Sequence, residues 1–159
     1  MEQYCGTIDI LKSDIERYPE LKEEIENTFY DDGKLIDGAD NNKPDDPVMH
    51  FMDNNAIFGR FEYLEDLCQR LYVPYDRWTS ADWGYDSYTA YYRPDIRENG
   101  EIYSDGDGIK KVDVDKLRDL IKDIDPKNTA AIGEAFLAYL DSIPVIKPLE
   151  EYEGYIHGR

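Results

Sequence analysis

The sequence has few of the residues from which most active sites are built. It contains only two cysteines, Cys5 and Cys68, and two histidines, His50 and His157. No Cys-x-x-Cys or His-x-x-x-His pair is present to start a zinc site. The same scarcity argues against catalysis by a histidine base or a cysteine nucleophile. We therefore expect no metal and no other cofactor.

Other catalytic patterns are missing as well. The chain has neither a Walker A loop nor a dinucleotide-binding glycine fingerprint. The stretch YSDGDGIKKVDVD (103–115) resembles a calcium-binding loop, but Tyr103 and Val114 stand at its first and twelfth positions, where ligands are needed. Among 36 acidic residues, a carboxylate pair at glycosidase spacing would arise by chance. We expect a protein that is not an enzyme, and keep a small carboxylate-pair enzyme as the least favoured alternative.

Long apolar runs are absent, so no segment is predicted to cross a membrane. The first residues, MEQYCGTIDI, lack the basic and apolar regions of a secretion signal. Two distant cysteines fit a reducing compartment, in which thiols stay free. These features together predict a cytoplasmic protein.

Basic residues are the scarce charge. There are 18 of them against 36 acidic residues, which gives a net charge of −18, and residues 1–40 alone carry 12 acids and 4 bases. Such a charge draws a protein toward basic partners. It disfavours direct binding to nucleic acid or to an anionic membrane, because both require a positive surface.

Hydrophobic periodicity predicts one α+β domain over residues 1–144, followed by a loosely ordered tail over 145–159. We expect a mostly antiparallel sheet with about four helices packed mainly on one face. Ser13-Asp14-Ile15-Glu16 has the form of a capping box, but Pro19 would lie inside that helix, so a helix from Pro19 to Phe29 is preferred. Predicted strands lie at 7–11, 34–36, 48–52, 56–58, 75–79 and 87–93, with a hairpin turn at 53–55, and further helices lie at 61–71, 113–124 and 128–143.

The helical patterns also predict which side chains are buried. Cys68 lies on the apolar face of its helix and is expected in the core, whereas Glu62, Glu65 and Asp66 are expected to face outward. In the last two helices the residues predicted to point inward are Leu117, Leu120, Ile121, Ile124, Ile132, Phe136, Tyr139, Leu140 and Ile143.

The stretch YDRWTSADWGYDSYTAYYRPD (75–95) combines tyrosine and tryptophan rings with carboxylates. Two strands with a loop between them would place about half of the rings in the core and the rest on an outer face or in the loop. Rings beside acids are typical anchors of protein interfaces, but they also form cross-strand pairs in a sheet. Both interpretations stay open at this stage.

Carboxylates three or four residues apart on a helix have Cβ atoms about 5–6 Å apart, close to the spacing of phosphates along one nucleic-acid strand. The predicted helix from Pro19 presents three of them on one face. The residues that we expect to bind a partner are Glu20, Glu23, Glu26, Asp31, Asp32, Asp76, Trp78, Asp82, Trp83 and Tyr85.

In size, acidity and predicted α+β class, the chain resembles the small acidic inhibitors carried by phages and mobile elements, namely the anti-CRISPR and antirestriction proteins. The resemblance is one of composition and implies no residue-by-residue assignment. It implies a non-enzymatic nucleic-acid mimic that binds the basic groove of a nuclease, either a CRISPR effector or a restriction enzyme. The alternative is an immunity protein or antitoxin that neutralises a basic toxin enzyme by the same means.

Overall fold

The computed structural model describes residues 3–31, 34–35, 44–80, 87–96, 98–103, 112 and 114–156. The α-helices and strands in these residues alternate irregularly along the chain. They are β1 (Gln3–Leu11), α1 (Lys12–Arg17), α2 (Pro19–Phe29), β2 (Tyr30–Asp31), β3 (Lys34–Leu35), β4 (Val48–Ile57), α3 (Glu62–Leu71), β5 (Tyr75–Thr79), β6 (Tyr88–Arg93), β7 (Glu98–Tyr103), α4 (Val114–Ile121) and α5 (Thr129–Asp141), with a 3-10 helix at Leu149–Tyr152.

Five strands form one antiparallel sheet in the order β4-β1-β5-β6-β7, and β2 pairs with β3 separately. The predicted α+β class and the mostly antiparallel sheet are therefore confirmed. Because neighbouring side chains on a strand point to opposite sides, the sheet has two faces. We call the face with Ile8 and Ile10 the helix-covered face, and the face with Thr7 and Asp9 the second face.

The main core lies between the helix-covered face and the helices α2 and α3. The Phe29 ring from α2 lies at its centre, with ring centroids 5.0 Å from Phe51 and 5.1 Å from Phe61. Cys68 of α3 is fully buried there, as predicted. Each large aliphatic or phenylalanine side chain in this core stabilises the fold by about 1.5–3 kcal/mol on burial. The other buried members are Ile8, Ile10, Leu21, Ile25, Ala56, Leu64, Val73, Tyr75 and Tyr92.

A smaller core lies on the second face, at one end of the sheet. Leu11 and Val48 are neighbours across β1 and β4, and Leu149 and Tyr152 of the 3-10 helix cover them. The Tyr152 hydroxyl also donates a hydrogen bond to Asp95 at 2.7 Å. Leu149 and Tyr152, which make these contacts, belong to the segment 145–159 that we expected to be a loosely ordered tail.

Helices α4 and α5 pack on each other and on no other described element to a comparable extent. Neither helix contains a buried residue. The nine apolar residues predicted to point inward are therefore at most half-buried in the structure. Their pattern was identified correctly, but the expectation that it meets the core was wrong.

The predicted hairpin at 53–55 is also wrong, because β4 runs without interruption from Val48 to Ile57. Its pairing with β1 shifts there: Tyr4 pairs with Ala56, while Gly6 pairs with Asp53. One extra residue on β4 is thus accommodated as a β-bulge. The Asp53 carboxylate accepts a hydrogen bond from the backbone N–H of Asn55 at 2.8 Å. Such a side-chain bond two residues along the chain is also typical of turns, so the sequence of this segment resembles that of a hairpin.

Further elements were missed, and α1 and β7 are the longest of them. A short helix, α1, precedes α2, and the chain straightens at Tyr18 between them because the residue before a proline disfavours the helical conformation. Strand β7 lies in a stretch where we predicted neither helix nor strand, and it pairs with β6 along its whole length. The calcium-like sequence at 103–115 lies largely outside the described residues.

Candidate functional site

Helix α2 carries the acidic side chains that the sequence singled out. Pro19 occupies the first helical position, where it needs no hydrogen-bond donor, and the apolar stripe of the helix is buried. Glu20, Glu23 and Glu26 are exposed on the remaining surface, and Asp31 is exposed two residues beyond the end of the helix. Among the described ion pairs of this helix, Lys22 reaches Glu26 only at 4.0 Å. The predicted acidic face is therefore present in the structure.

Helix α3 extends this acidic surface. It packs beside α2 and exposes Glu62 and Asp66. We call the exposed carboxylates of Glu20, Glu23, Glu26, Glu62 and Asp66 the acidic helical layer. The sequence indicated that both helices have acidic outer faces. That they lie side by side could not be predicted, because adjacency depends on how both helices pack on the sheet.

Beside the carboxylates of the acidic helical layer lies an exposed aromatic side chain that the sequence analysis did not identify. Tyr63 follows Glu62 in the first turn of α3, and its side chain is 83% exposed. It borders an open hollow of about 600 Å³ on the outside of α3 that Asp66, Gln69 and Arg70 also line. Rings beside carboxylates were taken as a sign of a protein interface in the 75–95 stretch. Tyr63 stands beside Glu62 and near Asp66 in the sequence, so the same pattern could have identified it.

Glu65 was predicted to face outward, but it turns toward the interior. Its carboxylate lies 2.9 Å from Nε of Arg77, whose side chain is 2% exposed, and it accepts a hydrogen bond from the Phe61 amide at 2.9 Å. A buried guanidinium requires a counter-ion, so Glu65 is drawn in to provide it. Glu65 is therefore not part of the acidic helical layer.

Asp76 and Trp78 lie on the second face of the sheet, across the sheet from the acidic helical layer. Both oxygens of Asp76 accept hydrogen bonds from Nη2 of the buried Arg93, at 2.8 and 3.1 Å. Burial raises the pKa of Asp76, and Arg93 offsets part of that increase. The structure thus does not bring Asp76 and Trp78 together with the α2 carboxylates.

The tyrosines of the two strands in the 75–95 stretch are mainly core residues. Tyr75, Tyr91 and Tyr92 are between 2% and 6% exposed. Trp78 is partly exposed and lies on β5 opposite Thr89. The core interpretation therefore holds for most of the strand rings. Four of the predicted partner-binding residues, Asp32, Asp82, Trp83 and Tyr85, lie outside the described residues.

The second face carries a separate charged row across β4, β1 and β5. His50 lies 2.8 Å from Asp9 through Nδ1 and 3.6 Å from Asp46 through Nε2. The hydrogen bond with Asp9 raises the pKa of His50, with a smaller contribution from Asp46. Asp9 is in turn paired in register with Asp76. The Asp9–His50 pair joins β1 to β4, which is a structural role, whereas Asp9 and Asp76 carry like charges and repel each other.

Within the described ranges, no cluster of three histidine, cysteine or acidic side chains has the geometry to hold a metal ion. No helix in that same part of the chain is long and apolar enough to span a bilayer. Comparison of the chain with protein-family models, with curated proteins and with solved structures found no match. Function must therefore be inferred from the surface of the molecule.

Proposed function

We propose that the protein is a non-enzymatic inhibitor whose acidic helical layer occupies the basic nucleic-acid-binding groove of a nuclease. The observation that supports this is the layer itself, in which carboxylates from two packed helices face outward with few cations among them. A groove lined with lysine and arginine attracts such a surface and excludes nucleic acid while it is bound.

The spacing of the layer suits this role. Along α2 the carboxylates recur at intervals of about 5–6 Å between Cβ atoms. Packed helices lie about 8–10 Å apart, so α2 and α3 present two rows of negative charge. Two such rows can offer negative charge to basic side chains on both walls of a groove.

Rigidity favours binding as well. The carboxylates of α2 extend from a helix whose opposite side, Leu21, Ile25 and Phe29, is 3% exposed or less. A helix held by its core loses little conformational freedom when a partner binds, and this reduces the cost of association. Tyr63, which is exposed on α3, would supply the aromatic anchor of the interface in place of Trp78.

The proposal is tested with nuclease assays and matched variants. Purified protein is added to DNA cleavage reactions run by a CRISPR effector nuclease, by several restriction enzymes and by a basic toxin nuclease. One variant combines Glu20→Gln, Glu23→Gln and Glu26→Gln, which preserves helix propensity and removes three charges from the layer. The control combines Asp115→Asn, Asp119→Asn and Asp123→Asn, which removes the same charge from α4 and from the turn that follows it.

We expect at least one nuclease to be inhibited, with inhibition weakening as salt rises because the charges are screened. The α2 variant should raise the concentration needed for inhibition by about tenfold, chiefly through slower association, and the α4 control should change it little. Inhibition of the toxin nuclease alone would favour an immunity protein. Absence of inhibition throughout, or equal loss in both variants, would refute the role of the acidic helical layer.

A further inference from the structure

Helix α5 is apolar around most of its circumference. Its sequence, TAAIGEAFLAYLD, contains only two charged residues, Glu134 and Asp141. A helix of this composition normally lies within a protein core. In the structure, however, no residue of α5 is buried. Some of its apolar surface is therefore left without a cover by the described parts of the chain.

The partner helix α4 accounts for only one side of α5. The half-buried positions of α5, namely Ala131, Ile132, Ala135 and Tyr139, lie on one side of the helix, and α4 is the described element on which α5 mainly packs. A second apolar stripe lies next to it and stays in solvent: Phe136 is 38% exposed, Leu140 is 51% and Leu137 is 62%. Gly133 belongs to this stripe, and a Cβ atom built there would meet no atom within 4 Å.

Charge indicates what covers this stripe. From Val114 to Ile146 there are six acidic and four basic residues, a net charge of −2, so the other residues carry −16 of the total of −18. On α4 the opposite charges are also paired locally, as Arg118 lies 3.1 Å from Asp115 and Lys122 lies 3.4 Å from Asp119. Two copies of this anionic chain can therefore approach each other through the α4–α5 pair with less repulsion than through their acidic helical layers.

A basic partner would be drawn elsewhere, toward the acidic residues of the remaining surface. A second copy has no such preference, and an apolar stripe with weakly charged flanks is complementary to itself. Pairing about a two-fold axis would bring the stripe of one copy onto the stripe of the other, as in most homodimers. Two helix pairs joined in this way have the composition and packing of a four-helix bundle.

We propose that the exposed stripe of α5, formed by Gly133, Phe136, Leu137 and Leu140, joins two copies of this chain into a dimer. The acidic helical layers would stay outside the contact, one on each copy. The inference rests on the α4–α5 pair alone and is independent of the proposed inhibitory function. Salt separates the two: screening strengthens association between two anionic copies, whereas it weakens binding of an acidic layer to a basic groove.

Sedimentation velocity over a range of protein concentrations, at low and at high salt, tests the dimer. The wild-type chain should associate, and more tightly at high salt. Leu137→Glu should be a monomer in both conditions, because it buries an unpaired charge in the contact. The matched control is Ile96→Glu, which makes the same change at a residue that is 59% exposed outside the helix pair and should dimerise like the wild type.

A milder variant guards against an effect of the added charge itself. Leu137→Ala with Leu140→Ala removes apolar area without adding charge and should weaken association by about tenfold or more. Circular dichroism checks that each variant keeps the wild-type helix content. A wild-type chain that stays monomeric at both salt concentrations would overturn the proposal. Dimerisation of Leu137→Glu, or disruption by Ile96→Glu to the same extent, would overturn it as well.

Discussion

Helices α3 and α4 carry similar apolar patterns, but their apolar faces differ in how deeply they are buried. On α3, Leu64 and Cys68 are at most 1% exposed, because the helix lies on the sheet. On α4, Leu117 and Ile121 are only half-buried, because among the described elements the helix packs mainly on α5. Periodicity thus identifies which face of a helix is apolar, but it does not indicate what covers that face. The surface left uncovered on α4–α5 is where we expect association.

The largest expected contrast between the two regions is in the cost of removing an apolar side chain. Phe29→Ala should lower the free energy of unfolding by about 3–5 kcal/mol, because it leaves a cavity beside Phe51 and Phe61. Leu137→Ala should change it by no more than about 0.5 kcal/mol in the monomer. Urea denaturation at a concentration too low for association measures both. Equal costs would mean that α5 is buried as deeply as the main core.

Glycine substitutions sharpen the contrast, since the two regions should respond with opposite sign. Gly59 has φ of +61°, and a Cβ atom there would collide with the Thr79 side chain. Gly59→Ala should therefore destabilise the fold by about 2–4 kcal/mol, through left-handed strain and the collision together. Gly133→Ala adds a methyl group in open space within a helix and should stabilise the monomer by about 0.5–1 kcal/mol. Thermal or urea unfolding of the two variants gives both signs directly, and destabilisation by Gly133→Ala would indicate that α5 is packed more closely than described.

The pH dependence of stability should also differ between a carboxylate buried in the main fold and one exposed on α4. Burial raises the pKa of Asp14 to about 6, against a smaller opposing effect of Arg17. An unfolded aspartate ionises near pH 4, so the fold loses stability as pH rises from about 4 to about 6, and the cost persists above that range. Asp14→Asn removes this cost and can still accept the Arg17 hydrogen bond. The free energy of unfolding of the variant should exceed that of the wild type by roughly 1–3 kcal/mol at pH 7 and by little at pH 4.

The control for this titration is Asp119→Asn on α4, where the carboxylate is 74% exposed. It should show no comparable change in stability relative to the wild type between pH 4 and pH 7, because an exposed ion pair contributes little. Urea denaturation at the two pH values provides the comparison. A difference between Asp14→Asn and the wild type that is the same at both pH values would exclude a buried, titrating carboxylate.

Two elements, α2 and β5, were predicted with accurate bounds from local sequence alone. Helix α2 begins at Pro19 and ends at Phe29 as predicted, and β5 covers Tyr75–Thr79 as predicted. The continuous strand β4 was not predicted, because its bulge exists only through pairing with β1. Such pairing depends on residues distant in sequence, and local patterns do not contain it.

The candidate site divides in the same way. The exposed row on α2 followed from helical spacing, whereas the inward turn of Glu65 followed from the burial of Arg77, which a strand pattern of alternating polar and aromatic residues does not reveal. Asp76 and Trp78 were grouped with the α2 acids on residue type alone. Their position on the other face of the sheet depends on which side the helices cover, and this is a property of the whole fold.

The smallest expected effect concerns His50, which joins β4 to β1 on the second face. Its pKa is raised by Asp9 and Asp46, so the charged pair stabilises the fold fully at pH below about 6.5, and the contribution is lost as pH rises through the raised pKa. Because the side chain is 39% exposed, solvent screening should keep the effect below about 1 kcal/mol. His50→Gln should therefore reduce stability at pH 6 and leave it nearly unchanged at pH 9, with His157→Gln as the control for loss of a histidine. An NMR titration of the His50 ring in the wild type tests the cause: a pKa at or below the ordinary value would show that Asp9 does not hold the charge.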